Sequence, residues 1–399
     1  MPASERRGAS VGEWHDACGP EEHFPSRKTV TQLEPRPYAK SMRGDTLNAS
    51  DILIDTLIAW DVDVVFGLPG DGINGIMEAL RTRQDRIRFI QVRHEQSAAF
   101  MACAYAKWTG RLGVCLATSG PGGTNLLTGL YDAKLDQALV LAITGMQYHD
   151  LVATHTQQDV DLVRLFNDVA IYNAHVTSPA HMENTATLAC RSALARRGVA
   201  HLSVSNDVQE EALADEQRSR RNVPGHEANR WFDGRRLPRP EDLDRAGEIL
   251  NRASRVAMLV GRGALGAANE VRKASDLLAA PVIKALLGKA VLPDDDPCTT
   301  GGIGLLGTLP SQDAMEQCDA LLVVGSTFPY VEYYPKPGQA RGVQIDRDGQ
   351  RIGLRFPVDV GLVGDATETL RLLNSRLERK SDRSFLQQAQ QGMQRWRVM

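Results

Sequence analysis

Long hydrophobic runs are missing from this 399-residue chain. No segment approaches the ~18 apolar residues that a membrane-spanning helix needs, and the N-terminus lacks the apolar core of a secretory signal. Its acidic residues Glu5, Glu13, Asp16, Glu21 and Glu22 argue against a transit peptide. An excess of either charge is also missing. Lys plus Arg number 46 and Asp plus Glu 49, a net charge of −3, which leaves no electrostatic footprint for nucleic acid or an anionic membrane. Cysteine is sparse. The six (18, 103, 115, 190, 298 and 318) lie far apart with no CxxC pair, so they read as reduced, packed thiols rather than a disulfide frame or zinc site. No metal-ligand motif is assigned. Collagen, coiled coil, membrane protein and disulfide scaffold are thereby excluded. The composition is that of a soluble globular protein, 42% hydrophobic and 24% charged, long enough for two or three domains of roughly 150 residues. A cytoplasmic α/β protein is expected.

Residues 1–45 are polar, mixed in charge and without hydrophobic periodicity, and are read as a disordered extension. Apolar periodicity begins at Leu47, with Ser50 or Asp51 expected as helix N-cap. Short, continuously apolar strands are expected at 64–67, 88–92, 113–119, 138–144 and 200–204. Helices are expected at 73–83, 96–109, 123–135, 159–166 and 179–197. Apolar strands separated by helices predict a parallel sheet covered on both faces, hence a doubly wound domain over 46–207. Residues 208–240, charged and Pro-bearing, read as an inter-domain linker. A second alternating unit over 241–378 has strands at 255–260, 281–284, 320–324 and 342–346 and helices at 267–279 and 366–377. Residues 379–399 are amphipathic and read as the start of a linker to a further domain.

Two Gly-rich loops follow strands of the first domain, where open α/β sheets place ligands. One carries Gly67, Pro69, Gly70 and Gly72; the other carries Ser119, Gly120, Pro121, Gly122 and Asn125. Each alone fits a tight turn in which Gly packs a strand against a helix; the pair in corresponding positions points to a ligand cleft. Between them Glu95 falls in a first helical turn. There a carboxylate either complements the helix dipole or serves as proton acceptor and hydrogen-bond partner. His94 reads as a packing or surface histidine.

The runs FGLPGDGINGIMEAL, VRHEQSAAFMACAYAKWTG and GVCLATSGPGGTNLLTGLYDAKLDQALVLAITG resemble the pyrimidine-binding domain of thiamine-diphosphate enzymes, in the branch of pyruvate oxidase and acetolactate synthase. The second unit resembles the family's central, Rossmann-like domain. The resemblance covers about 46–375 and implies thiamine diphosphate as cofactor and a small 2-oxo acid such as pyruvate as substrate. It implies that Glu95 matches the catalytic glutamate, which holds the aminopyrimidine ring nitrogen in the tautomer that activates the thiazolium. Gly67, Pro69 and Gly70 match the loop beside the pyrimidine ring, and Gly120, Pro121, Gly122 and Asn125 the second loop. Thr156, Gln157 and Gln158 correspond to the family's Phe-Gln-Glu, making Gln157 a candidate near substrate. The triplet Gly70, Asp71, Gly72 imitates the family's metal–diphosphate signature, but the downstream Asn is missing and the triplet lies in the pyrimidine-side loop. It is read as a decoy.

In the second unit Gly261, Gly263 and Gly266 spell G-x-G-x-x-G after a strand and before a helix, yet the next strand ends without an acidic residue for an adenosine ribose. The resemblance implies FAD instead, with Gly325, Ser326 and Asp346 as contributors; family members that keep the domain without flavin leave a purely structural turn open. The domain that holds the diphosphate and Mg²⁺ is not matched by any part of this sequence. The expectation is therefore a chain carrying the pyrimidine half only, inactive alone, pairing as a homo-oligomer or with a chain that supplies the diphosphate domain. The expected parent activity is oxidative decarboxylation of pyruvate or a close relative. Acetolactate-synthase-like carboligation and a non-catalytic nucleotide-binding or regulatory module are the alternatives.

Overall fold

A computed structural model describes residues 47–214, 218–225 and 234–399. The expected extension over 1–45 lies outside the described residues, as does Cys18. The other five cysteines are free thiols. The chain separates into two compact units that divide after residue 231.

The first unit is built on six parallel strands, β1 (Val64–Gly67), β2 (Arg88–Gln91), β3 (Gly113–Ala117), β4 (Val140–Met146), β5 (Ala170–Val176) and β6 (Val199–Ser205). Their spatial order is β2-β1-β3-β4-β6-β5. β3, β4 and β6 are buried along their whole length, as strands covered by helices on both faces must be. The second unit has β7 (Val256–Val260), β8 (Val282–Lys284), β9 (Thr299–Gly302), β10 (Ala320–Val324), β11 (Arg341–Asp346) and β12 (Val360–Val363), in the order β12-β11-β10-β7-β8-β9, again all parallel. Both units are thus doubly wound α/β sheets. Chain order reverses between β1 and β3 in the first, where β6 also returns to lie inside the edge strand β5, and between β7 and β10 in the second. A crevice opens outside the carboxyl ends of the strands at such a point.

Several expectations are corrected. The first helix, Ala49–Ala59, is capped by Asn48 and not by Ser50 or Asp51; Asp51 is the reciprocal partner, accepting from the Asn48 N–H while its own N–H donates to the Asn48 side chain. The helix expected at 159–166 shrinks to Leu162–Leu165. The Asp159 carboxylate accepts the N–H groups of Ala153 and His155, which commits the preceding chain to a loop, and Asp161 caps the short helix through the Arg164 N–H. Strands β5, β9 and β12 were not expected. All three are sheet edges, where half-exposed or small residues carry no continuous apolar signal.

Within the stretch read as a linker over 208–240, three of the described residues are held by specific contacts. Leu213 N–H donates to the Leu47 carbonyl, Arg218 pairs with the buried Glu183 at 2.8 Å, and Gly225 N–H donates to the same carboxylate at 2.7 Å. Helix Pro240–Arg252 begins at its end. Residues 384–397 form a helix whose Phe385, Leu386, Ala389 and Met393 are buried in the second unit, against helix Leu309–Gln317. The segment read as the start of a linker thus carries a helix packed on the second unit.

Candidate functional site

Both Gly-rich loops of the first unit flank its reversal point. β1 delivers the first and β3 the second, and the two loops pack on each other so closely that side chains are excluded. A Cβ on Gly70 would stand 2.5 Å from the Thr118 Cβ, and one on Gly72 2.6 Å from the Ser119 Oγ. Thr118 Oγ1 accepts the Gly72 N–H at 3.0 Å and so clamps one loop to the other. Gly67 answers to its strand neighbours: a Cβ there would lie 2.7 Å from the Leu116 carbonyl. Pro69 lies in the same turn. Gly120 has φ +57° and sits under the backbone of Gln158, 2.8 Å from where its own Cβ would be, so only glycine is unstrained there.

Pro121 opens a short helix, Pro121–Asn125, at the position where a missing N–H is harmless. Glu95 is the first residue of the 15-residue helix Glu95–Thr109, whose N-cap is His94; the His94 Nδ1 accepts the Gln96 N–H at 3.2 Å. Although charged, Glu95 is only 6% exposed. Asn125 Nδ2 donates to its Oε2 at 3.0 Å, and a Cβ on Gly122 would stand 3.4 Å from its Oε1. Glu95, Gly122 and Asn125 therefore meet at one spot.

Gln157 and Gln158 are both exposed. The side chain of Gln158, not Gln157, reaches the second loop, where its Oε1 accepts from the Ser119 hydroxyl at 2.9 Å. Gln157 is held through its backbone carbonyl, which accepts from the Gln147 amide. Ala153, His155 and Gln158 all have positive φ in this stretch. Asp71 of the decoy triplet points elsewhere. It lines an open cavity of about 590 Å³ with Asn74, Tyr148, His149, Asn206, Asp207, Glu210 and Glu211, whose walls include neither Glu95 nor Asn125. The fold also gathers His149, Asp150 and Asp207, whose ligand-type atoms lie within 4.8 Å of one another; the 56 residues between Asp150 and Asp207 hid this from any spacing argument. Asp207 bonded to the His149 ring holds that histidine's pKa above its ordinary value.

In the second unit the predicted residues also assemble at the reversal point, and the reason for two of the glycines is local. Gly261 N–H donates to the Val324 carbonyl and Gly263 N–H to that of Gly325. A Cβ on Gly261 would stand 2.5 Å from the Gly325 carbonyl oxygen, and one on Gly263 2.7 Å from the Gly325 Cα. Turn packs on turn, and Gly325 itself has φ +57°. Gly266 has open space beside it, its nearest neighbour being Thr367 Oγ1 at 3.8 Å. Ser326 is buried and its hydroxyl accepts the Phe328 N–H. Asp346 ends β11, 8% exposed, and burial raises its carboxyl above the usual range, against the lowering effect of the Asp348 N–H that it accepts at 3.0 Å.

A doubly wound domain with a buried carboxylate at its crevice defines a class of ligand-binding α/β proteins. Comparison with known proteins narrows it. Residues 47–165 match the pattern described as "Thiamine pyrophosphate enzyme, N-terminal TPP binding domain", and residues 243–373 match "Thiamine pyrophosphate enzyme, central domain". The chain is 40% identical over 348 residues to the "Putative thiamine pyrophosphate-containing protein YdaP" of Bacillus subtilis (strain 168), covering 87% of this chain and 59% of that protein. It is 31% identical over 362 residues to a pyruvate oxidase of Lactiplantibacillus plantarum, covering 90% and 59%. It is 30% identical over 342 residues to a probable acetolactate synthase large subunit of Methanocaldococcus jannaschii, covering 83% and 56%. The chain belongs to the thiamine pyrophosphate enzyme family, and spans somewhat more than half the length of these relatives. No helix among the described residues is long and apolar enough to cross a membrane.

Proposed function

We propose that this chain supplies the pyrimidine-binding half of a thiamine-diphosphate-dependent enzyme that acts on a small 2-oxo acid such as pyruvate. One observation carries the reading: a nearly buried carboxylate, Glu95, at the reversal point of a parallel sheet, bonded through one oxygen and open at the other. The donor set fits an aminopyrimidine, whose ring nitrogen needs a carboxyl partner shielded from water. Thiamine diphosphate, when bound, supplies the carbanion equivalent and electron sink for cleaving the bond beside a keto group. Within the chain, Glu95 holds or shares a proton at that ring nitrogen, and its burial keeps water from competing for the bond. The clamp of Thr118 on Gly72 keeps the two loops at fixed separation. Gln158, anchored on Ser119, has its side chain on the cleft wall and is a better candidate for meeting substrate than the expected Gln157.

The matched domains are the N-terminal and central ones, so the diphosphate and its Mg²⁺ are assigned to polypeptide outside them. FAD is assigned to the second unit, where Asp346, Ser326 and the open side of Gly266 suit a dinucleotide; Gly261 and Gly263, explained by turn packing, are not counted in its favour. Electrons would then leave through the flavin.

Reconstitution with a chain carrying the diphosphate domain tests the reading. Pyruvate, thiamine diphosphate and Mg²⁺ are expected to reduce bound flavin, and Glu95→Gln to slow turnover by several orders of magnitude. Acetolactate formation without flavin reduction would assign carboligation, as in the acetolactate synthase relatives. No turnover, with partner binding indifferent to Glu95→Gln, would leave the non-catalytic module.

A further inference from the structure

Among the described residues Glu95 meets one hydrogen-bond donor, and that donor decides which of its oxygens is free. The Asn125 Nδ2 has no lone pair to offer, so Oε2, 3.0 Å away, acts as an acceptor. The flipped amide would set two acceptor oxygens against each other, so the carboxylate itself fixes the orientation of Asn125. Oε1 makes no hydrogen bond among the described residues. Its near neighbour is the empty side of Gly122, where a methyl group would stand 3.4 Å from Oε1 and 2.7 Å from the Thr118 Cγ2. Both partners sit on ordered elements: Glu95 opens one helix and Asn125 closes another.

Resting on the function proposed above, we propose that Asn125 is a positioning residue that assigns the two oxygens of Glu95 to separate tasks. Oε2 is held as a permanent acceptor. Oε1 is left as the oxygen that shares a proton with the ring nitrogen of an aminopyrimidine. Gly122 keeps the approach to Oε1 open. A carboxylate rotates about a soft, two-fold torsion; without the amide its plane is not fixed, and neither of its equivalent oxygens stays aimed at the crevice.

The test is a double-mutant cycle on the full chain. Its probe is 4-amino-5-hydroxymethyl-2-methylpyrimidine, the pyrimidine half of thiamine, titrated at millimolar concentration and followed by NMR, so that no diphosphate site is needed. Asn125→Leu is expected to weaken binding at least tenfold. In the Glu95→Gln background the same change should cost less than twofold, because it acts through Glu95. Asn125→Asp, with the same shape but no donor, should weaken binding at pH 8 and recover part of it at pH 5, where a proton can bridge the two carboxyl groups. It also replaces Asn125→Leu if that variant does not fold. A tenfold loss that persists with Glu95→Gln, together with an Asp variant indifferent to pH, would overturn the assignment while leaving the proposed function standing. No binding of the probe to the unmodified chain would remove both.

Discussion

His201 has no contact with water, and this makes it a reporter of the pH range in which the first unit stays folded. On β6, it bridges Thr144 Oγ1 at 2.9 Å and Asn173 Oδ1 at 2.7 Å, and stacks on Phe166 with ring centroids 3.9 Å apart. Burial pushes its pKa down to about 3, with His175 nearby acting in the same direction. The unfolded chain therefore takes up a proton near pH 6.5 that the folded one refuses until much lower pH. Stability contributed by the neutral ring is intact above pH 6.5 and falls as pH drops through 6.5 toward 3, by ~1.4 kcal/mol per unit. At pH 5 the expected loss is about 2 kcal/mol. Urea unfolding at pH 7.5 and 5.0 should show the native protein losing that much more than His201→Gln, whereas equal losses would remove His201 as the cause. Glu95 belongs to the same scale. Its identity was legible as an acid in a first helical turn, resembling a catalytic glutamate. Its partner Asn125, 30 residues away, was named only as a cleft residue, because no periodicity couples a helix start to the end of a later helix.

Helix Glu95–Thr109 is aimed by what it rests on. A Cβ on Gly113, the first residue of β3, would stand 2.1 Å from the Ala102 carbonyl oxygen in the middle of that helix, and backbone cannot swing aside as a side chain can. Gly113→Ala is expected to displace the helix and lower stability by ~1–3 kcal/mol, read as a fall in melting temperature. The displacement should also weaken binding of the pyrimidine probe, since Glu95 moves with its helix. The loop clamp makes a second prediction. Thr118→Val keeps the shape but leaves the Gly72 N–H without its acceptor, for an expected loss of ~1–3 kcal/mol; Thr118→Ser should retain most of it. Denaturant midpoints of the two variants check this, and equal values would dismiss the hydrogen bond as a contributor. At this scale the sequence marked the buried strands well, since β1, β3, β4, β6, β7, β10 and β11 read as apolar runs. It marked the edge strand β2 but missed the edge strands β5, β9 and β12, whose half-exposed or glycine-bearing residues break any apolar run.

The molecule as a whole has separate cores. The large cluster from Ala49 to Val208 draws only on the first unit, and the clusters around Leu259 and Val260 only on the second. A fragment spanning 47–225, which includes the strap anchored on Glu183, is expected to melt cooperatively by itself, as seen by far-UV circular dichroism. A broad, non-cooperative melt would mean that the first core needs the rest of the chain. By itself the sequence determined the class of fold, the two alternating units, the two Gly-rich loops and Glu95 between them, because apolar period, turn chemistry and short motifs are local properties of a chain. Only the tertiary structure decided which residues meet. It set Thr118 against Gly72, gave Glu95 its amide partner, chose Gln158 over Gln157 at the second loop and tied Leu213, Arg218, Gly225 and residues 384–397 into the fold. Those choices follow from strand order and from the exclusion of Cβ atoms where backbones touch, and neither is written in the spacing of residues along the chain.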